Sequence, residues 1–477
     1  MTADTATGPS ATGPSATGPS GAGFGAFVAA ASAAGRLVVQ PRMGFGDPGH
    51  MRTGLARTRA ATAHTVGTLT VDSYTRVGAL AAARAAVADG ARLNGYPIAA
   101  HSPDTTRAVL SGLRGPDFPV QVRHGSARPE AIVRALTAAG LDATEGGPVS
   151  YCLPYGRTPL RESVSAWVRA CELLAERSAA TPHLESFGGC LLGQLCPPGL
   201  LVAMSVLECL FFVQHGLRSV SLSYAQQTDA AQDEEALRAL HRLAAEFLPA
   251  GVEHHVVLYT YMGVYPRTES GALRLLEASA RLAVRSGAGR LIVKTAAEAH
   301  RIPTVDENVR ALETAAAAAA LAGAPAPDTA PEDGEIYQEA RTLVETVLGL
   351  HPDLARALPT AFARGLLDVP FCLHPDNAGR SLGFIDPAGR LRWARTGAMP
   401  LRPDTGADAD PYTSAGLLTA LRHVADRYDR DSGDGPDGYD RDSADGRDGR
   451  DGPDRYDRDP ADHPDGSGRP AATPLSV

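Results

Sequence analysis

Short apolar runs recur through the middle of the chain, each followed by a longer stretch of helical pattern. The runs are Arg36-Leu-Val-Val-Gln40, Thr68-Leu-Thr-Val71, Pro97-Ile-Ala-Ala100, Pro119-Val-Gln-Val122, His183-Leu-Glu-Ser-Phe187, Ser219-Val-Ser-Leu222, His255-Val-Val-Leu-Tyr259 and Arg290-Leu-Ile-Val-Lys294. Their length and β-branched content predict strands. The stretches 129–139, 160–177, 198–215, 234–247 and 270–285 are amphipathic or Ala-rich and predict helices. Strict alternation with short connections implies a parallel sheet with helical crossovers. About eight such units suit a closed (β/α)8 TIM barrel better than an open sheet.

Both ends of the chain break this pattern. Ala-Thr-Gly-Pro-Ser repeats three times between Ala6 and Ser20, which cannot build a core. From about Asp426 onward the chain is Asp, Arg, Gly and Pro, with Tyr-Asp-Arg-Asp recurring at Tyr428, Tyr439 and Tyr456. A third break, 322–333, is rich in Ala, Pro and Asp and reads as a connector. The expected organisation is a disordered tail over 1–23, a barrel over 24–321, a C-terminal region packing on it over 322–425, and a disordered tail over 426–477.

Composition narrows the function classes. A net charge of −9 argues against a nucleic-acid partner, because such binders neutralise phosphates with excess Lys and Arg. The longest apolar run, Leu200 to Val213, carries Glu208 and is too short to span a bilayer, so no membrane partner is expected. The six cysteines form no CxxC pair, which suggests neither a zinc site nor a disulfide scaffold; no metal site and a cytoplasmic location are expected. No GxGxxG or Walker A loop follows a strand. Lys and Arg total 45, yet Lys294 is the single lysine. It ends an apolar strand, where a slender point charge differs most from a broad fork.

Active sites of α/β barrels lie at the carboxyl ends of the strands. Here those ends run into Arg42, Arg76 and Arg123-His124, while Glu145 precedes Ser150-Tyr151-Cys152-Leu153-Pro154-Tyr155. Converging arginines suggest a clamp for a small dicarboxylate or a phosphate. Glu145 could pair with a substrate amine or take its proton, and Tyr151 and Tyr155 offer hydroxyl donors. The residues alone read as a barrel enzyme for an anionic, amino-acid-like substrate.

At these residues the sequence resembles the large epsilon subunit of glutamate mutase (methylaspartate mutase). The matching stretches are Gln40-Pro41-Arg42, Asp72-Ser-Tyr-Thr-Arg76, Leu93-Asn-Gly-Tyr-Pro97, Arg123-His-Gly125 and Glu145-Gly-Gly-Pro-Val-Ser-Tyr-Cys-Leu-Pro-Tyr155. Met262-Gly-Val-Tyr-Pro266, Val293-Lys-Thr-Ala-Ala-Glu298, Leu367-Asp-Val-Pro-Phe371 and Asn377-Ala-Gly379 follow in the family's order. Cys152 departs from the family, which usually has Asn there.

The resemblance implies a TIM barrel and a radical interconversion of L-glutamate and threo-3-methylaspartate, dependent on adenosylcobalamin. It implies that Arg42, Arg76 and Arg123, with His124, Tyr151 and Tyr155, bind the substrate, and that Glu145 handles its ammonium as the catalytic residue. Gly44, Asn94, Pro154, Tyr265, Lys294, Glu298 and Ile302 match cofactor contacts, with Lys294 and Glu298 at the adenosyl ribose. The family shares the cobalamin with a small sigma subunit carrying Asp-x-His-x-x-Gly, a motif this chain lacks, so a hetero-tetramer with that subunit is expected. The alternatives are a related mutase with an altered amino-acid substrate and a non-catalytic barrel that binds a partner.

Overall fold

The computed structural model describes residues 23–154, 156–191, 195–323, 334–404 and 412–430. The strands are β1 (Val38–Gln40), β2 (Gly67–Thr70), β3 (Val120–Arg123), β4 (Ala143–Gly146), β5 (His183–Ser186), β6 (Ser219–Ala225), β7 (Glu253–Tyr259) and β8 (Arg290–Ile292). They form one parallel sheet in the order β1-β8-β7-β6-β5-β4-β3-β2. Its two outer members meet through a parallel bridge between Val39 and Thr65, so the sheet curls into a nearly closed TIM-like barrel.

Seven of these strands lie on the expected runs. Pro97-Ile-Ala-Ala100 is instead a turn, in which the Pro97 carbonyl accepts from the Ala100 and His101 amides at 2.9 and 3.0 Å. The missing strand is Ala143–Gly146, poor in β-forming residues. It is a strand because β3 and β5 pair with it from both sides, a tertiary contact that outweighs local preference.

The five expected helices are present as Glu130–Ala138, Leu160–Arg177, Pro198–Gln214, Ala230–Phe247 and Glu269–Arg285. The helix Pro198–Gln214 is buried almost all round, because it lies between β5 and β6 on one side and the helix Glu335–Leu348 on the other. No helix among the described residues is long and apolar enough to cross a membrane.

The chain after 333 wraps this frame. Helix Glu335–Leu348 packs on Pro198–Gln214 and Ala230–Phe247, and helix Leu354–Ala363 packs on Leu160–Arg177. A hairpin follows, β9 (Ser381–Ile385) and β10 (Leu391–Thr396). Leu343, Leu358 and Trp393 from this region join Leu207 and Val220 in one apolar cluster.

Composition puts a tail boundary near Asp426, but the helix Ser414–Arg430 runs past it. Asp429 holds it down, accepting from the Arg267 and Thr268 amides at 3.0 Å each and from the Thr268 hydroxyl at 2.7 Å. Those donors sit at the start of Glu269–Arg285, where an anion is favoured. The expected tails over 1–22 and 431–477 and the connector over 324–333 lie outside the described residues.

Candidate active site

The carboxyl ends of the strands surround a cavity of about 620 Å³. Arg42, Gly44, Arg76, Asn94, Arg123, His124, Glu145, Tyr151, Lys294, Glu298 and Ile302 all line it. Of the other expected site residues, Tyr265 stands beside the lining through its contact with Lys294, and Pro154 is not among the lining residues. Tyr155 lies outside the described residues.

Glu145, inside β4, is the centre of one half. It is 1% exposed and accepts from Arg123 Nε at 2.7 Å, from the Tyr151 hydroxyl, and meets the Tyr259 hydroxyl at 2.8 Å. Arg123 uses only its Nε for this pair, and its terminal nitrogens make no hydrogen bond among the described residues. One guanidinium can therefore pair with Glu145 and still offer its outer fork to a carboxylate in the cavity.

His124 follows Arg123 and is equally buried. The Ser126 amide donates to its Nδ1 at 3.0 Å, so Nε2 carries the hydrogen. Burial, helped by the Arg123 charge, lowers the imidazole to about 3 and keeps it neutral. Nε2 is buried without a hydrogen-bond partner among the described residues, a donor left for something in the cavity. Arg76 is exposed at the mouth and makes no ion pair among the described residues. Gly125 has φ +64, and a Cβ there would press on the Arg76 stem at 3.1 Å, so a glycine is needed at that turn.

The turn before Tyr151 is held by a residue of another element. Glu208, from helix Pro198–Gln214, accepts from the Val149 and Ser150 amides at 3.1 and 2.9 Å and from the Ser150 and Ser186 hydroxyls at 2.8 and 2.9 Å. A Cβ on Gly147 would come within 2.1 Å of that carboxyl. Burial raises Glu208 to about 7 in spite of these four donors.

The other half of the cavity centres on Glu298. Its Oε2 takes Arg42 Nη1 at 3.0 Å and its Oε1 takes the Thr295 amide at 3.0 Å. Lys294, 8% exposed, lies 4.4 Å from the centre of the Tyr265 ring and makes no hydrogen bond among the described residues. Burial lowers the ammonium to about 8, against the pull of Glu298 and with the push of Arg42. The Tyr265 hydroxyl is buried without a partner among the described residues.

At the rim, a Cβ on Gly44 would come within 2.2 Å of the Thr70 carbonyl, so only glycine lets this segment approach β2. Asn94 accepts from the Ser73 amide at 3.0 Å, and Ile302 is 57% exposed.

The strand pattern hid three residues of this site: Glu185, Glu208 and Tyr259. Glu208 stands in an apolar helix and Tyr259 ends an apolar strand, so each reads as core. The signal of Glu208 is a charged group inside an otherwise apolar helix, which must find partners.

A profile of the methylaspartate mutase E chain family matches residues 19–410. The glutamate mutase epsilon subunit of Halobacterium salinarum is 33% identical over 349 residues, covering 70% of this chain and 72% of that one. Those of Escherichia coli O157:H7 and Desulfitobacterium hafniense are 31% and 32% identical, over 70% and 69% of this chain and 72% and 71% of theirs.

Proposed function

The chain belongs to the methylaspartate mutase E chain family, and from that membership we propose that it is the large subunit of an adenosylcobalamin-dependent glutamate mutase. In this reading it interconverts L-glutamate and threo-3-methylaspartate in the cytoplasm, as a hetero-tetramer with a small cobalamin-binding subunit.

The observation that carries the reading is the pairing of Arg123 with Glu145 in a cavity that also holds Arg76, Arg42 and His124. L-Glutamate has two carboxylates and one ammonium. The outer nitrogens of Arg123, the Arg76 guanidinium and the His124 Nε2–H suit the carboxylates, and Glu145 suits the ammonium. The buried Arg123–Glu145 pair fixes both groups before the substrate arrives, so little ordering remains to be done on binding.

The Lys294 end suits the cofactor. Its ammonium and the Tyr265 hydroxyl both lack hydrogen-bond partners among the described residues, as groups reserved for a ligand's hydroxyls would. Lys294, Glu298 and Gly44 would hold the adenosyl end there, and Asn94 and Ile302 would meet the rest at the rim. When bound, adenosylcobalamin supplies the radical chemistry of the rearrangement. The chain's own part is to bind both carboxylates, hold the ammonium and keep water out.

The decisive experiment is reconstitution. The purified chain with adenosylcobalamin alone should form almost no methylaspartate from L-glutamate, and a family small subunit should restore turnover. Full activity without that subunit, or none with it, overturns the reading.

Lys294 provides a second test. Arg would carry a wider, rigid head into a space closed by Tyr265 and Glu298. Lys294→Arg should weaken adenosylcobalamin binding about tenfold although the charge is kept, a loss of about 1.4 kcal/mol. Thermal unfolding should stay near wild type, since the residue sits at the catalytic face. Unchanged cofactor affinity would make the lone lysine a compositional accident.

A further inference from the structure

Glu145 and Glu185 are register partners on β4 and β5, so two carboxylates stand side by side inside the barrel. Neighbouring strands are about 4.8 Å apart, and like charges directly opposite each other repel. Each carboxylate has its own cation, Arg123 for Glu145 and the fully buried Arg290 for Glu185. The Tyr259 hydroxyl stands between them, meeting Glu145 Oε2 at 2.8 Å and also contacting Glu185 Oε1.

The hydrogen count does not close statically. A phenol has one hydrogen to donate, and two carboxylates face it. Burial, reinforced by Glu145 and Glu185, pushes the phenol well above its ordinary range, so it keeps that hydrogen. The ring itself cannot swing: Phe187 meets it edge-on at 5.4 Å and the Arg123 guanidinium lies 5.4 Å from its centre. Only the O–H bond can turn.

We propose that Tyr259 is a positioning residue that turns its single hydrogen between Glu145 and Glu185, and so sets how well Glu145 accepts a substrate ammonium. This rests on the reading of Glu145 as the ammonium site. Glu145 takes hydrogens from Arg123, Tyr151 and Tyr259. When a cation arrives, rotation of the O–H toward Glu185 frees a lone pair on Glu145. Glu185 is built to receive the hydrogen, because Arg290 and Gln121 Nε2, the latter at 3.1 Å, hold its other oxygen. No covalent bond forms or breaks.

The remaining ionisable groups facing Glu145 are His124, kept neutral, and the Cys190 thiol, kept protonated by burial.

The experiment compares two ligands on the reconstituted enzyme, L-glutamate and glutarate, which keeps both carboxylates but has no amine. Tyr259→Phe leaves that lone pair of Glu145 open at all times, so it should bind L-glutamate at least as tightly as wild type does and glutarate unchanged. Glu185→Gln retains the shape and leaves the phenol hydrogen on Glu145, so it should bind L-glutamate about tenfold or more weakly, as expected for a lost hydrogen bond to a charged group, and glutarate as wild type does. A selective loss of L-glutamate in Tyr259→Phe, or in Glu185→Gln an equal loss for both ligands or none, overturns the proposal while leaving the glutamate mutase reading intact. A wild-type enzyme that turns over no L-glutamate overturns that reading, and this inference with it.

Discussion

Glutamine in place of Glu145 is expected to lower kcat of the reconstituted enzyme by about two orders of magnitude or more. Arg123, Tyr151 and Tyr259 all converge on this carboxylate. An amide of the same size loses the charge that balances Arg123 and that, in the proposed function, would also balance the substrate ammonium. Half of the amide is also a donor facing donors. Removing one partner of a buried ion pair typically costs about 3–5 kcal/mol of stability, so the unfolding midpoint should fall as well. The two effects separate by measurement. Single-turnover rates on folded protein report the chemistry, and thermal unfolding reports the pair. Near-normal turnover with a lowered midpoint would make Glu145 structural.

Arg123→Lys should be nearly as damaging to kcat/KM, by about 2–4 kcal/mol. The charge survives, but the geometry does not. Arg123 spends Nε on Glu145 and leaves its outer nitrogens for the cavity. Lysine has one ammonium on a flexible stem and cannot serve both directions at once. Held by Glu145, it would leave a substrate carboxylate without its bidentate partner. The expected pattern is a raised KM for L-glutamate together with a lower kcat. Kinetics equal to wild type would remove Arg123 from the substrate site.

Much of the architecture was legible along the chain. Short apolar runs alternating with helical stretches gave a parallel barrel, and the helix Leu160–Arg177 has the bounds its pattern predicts. Arg42, Arg76 and Arg123 were legible as cavity residues because each follows or closes a strand-like run, whereas Glu145 was legible from its place before Ser150-Tyr151 and from the family resemblance. The two misplaced strands have one cause. Pro97-Ile-Ala-Ala has strand-like residues without neighbours to pair with, and Ala143–Gly146 has poor residues with neighbours on both sides. Backbone pairing is a property of the partners, and one segment's composition does not report it.

The chain's order of residues by itself determined that strand-like runs lead into Arg42, Arg76 and Arg123, since period and position are local. It also determined the family, through short motifs in a conserved order from Gln40 to Gly379. Only the tertiary structure decided which of those charges meet. Arg42 belongs with Glu298, 256 positions away, and Arg123 with Glu145. Glu145 and Glu185 became neighbours through the register of two strands, and Tyr259, 114 positions beyond Glu145, came between them through barrel closure. Glu208 reached the Tyr151 turn because its helix packs against that end of the sheet. Buried charges must find partners wherever folding brings them, and for these residues the partners come from distant strands and helices.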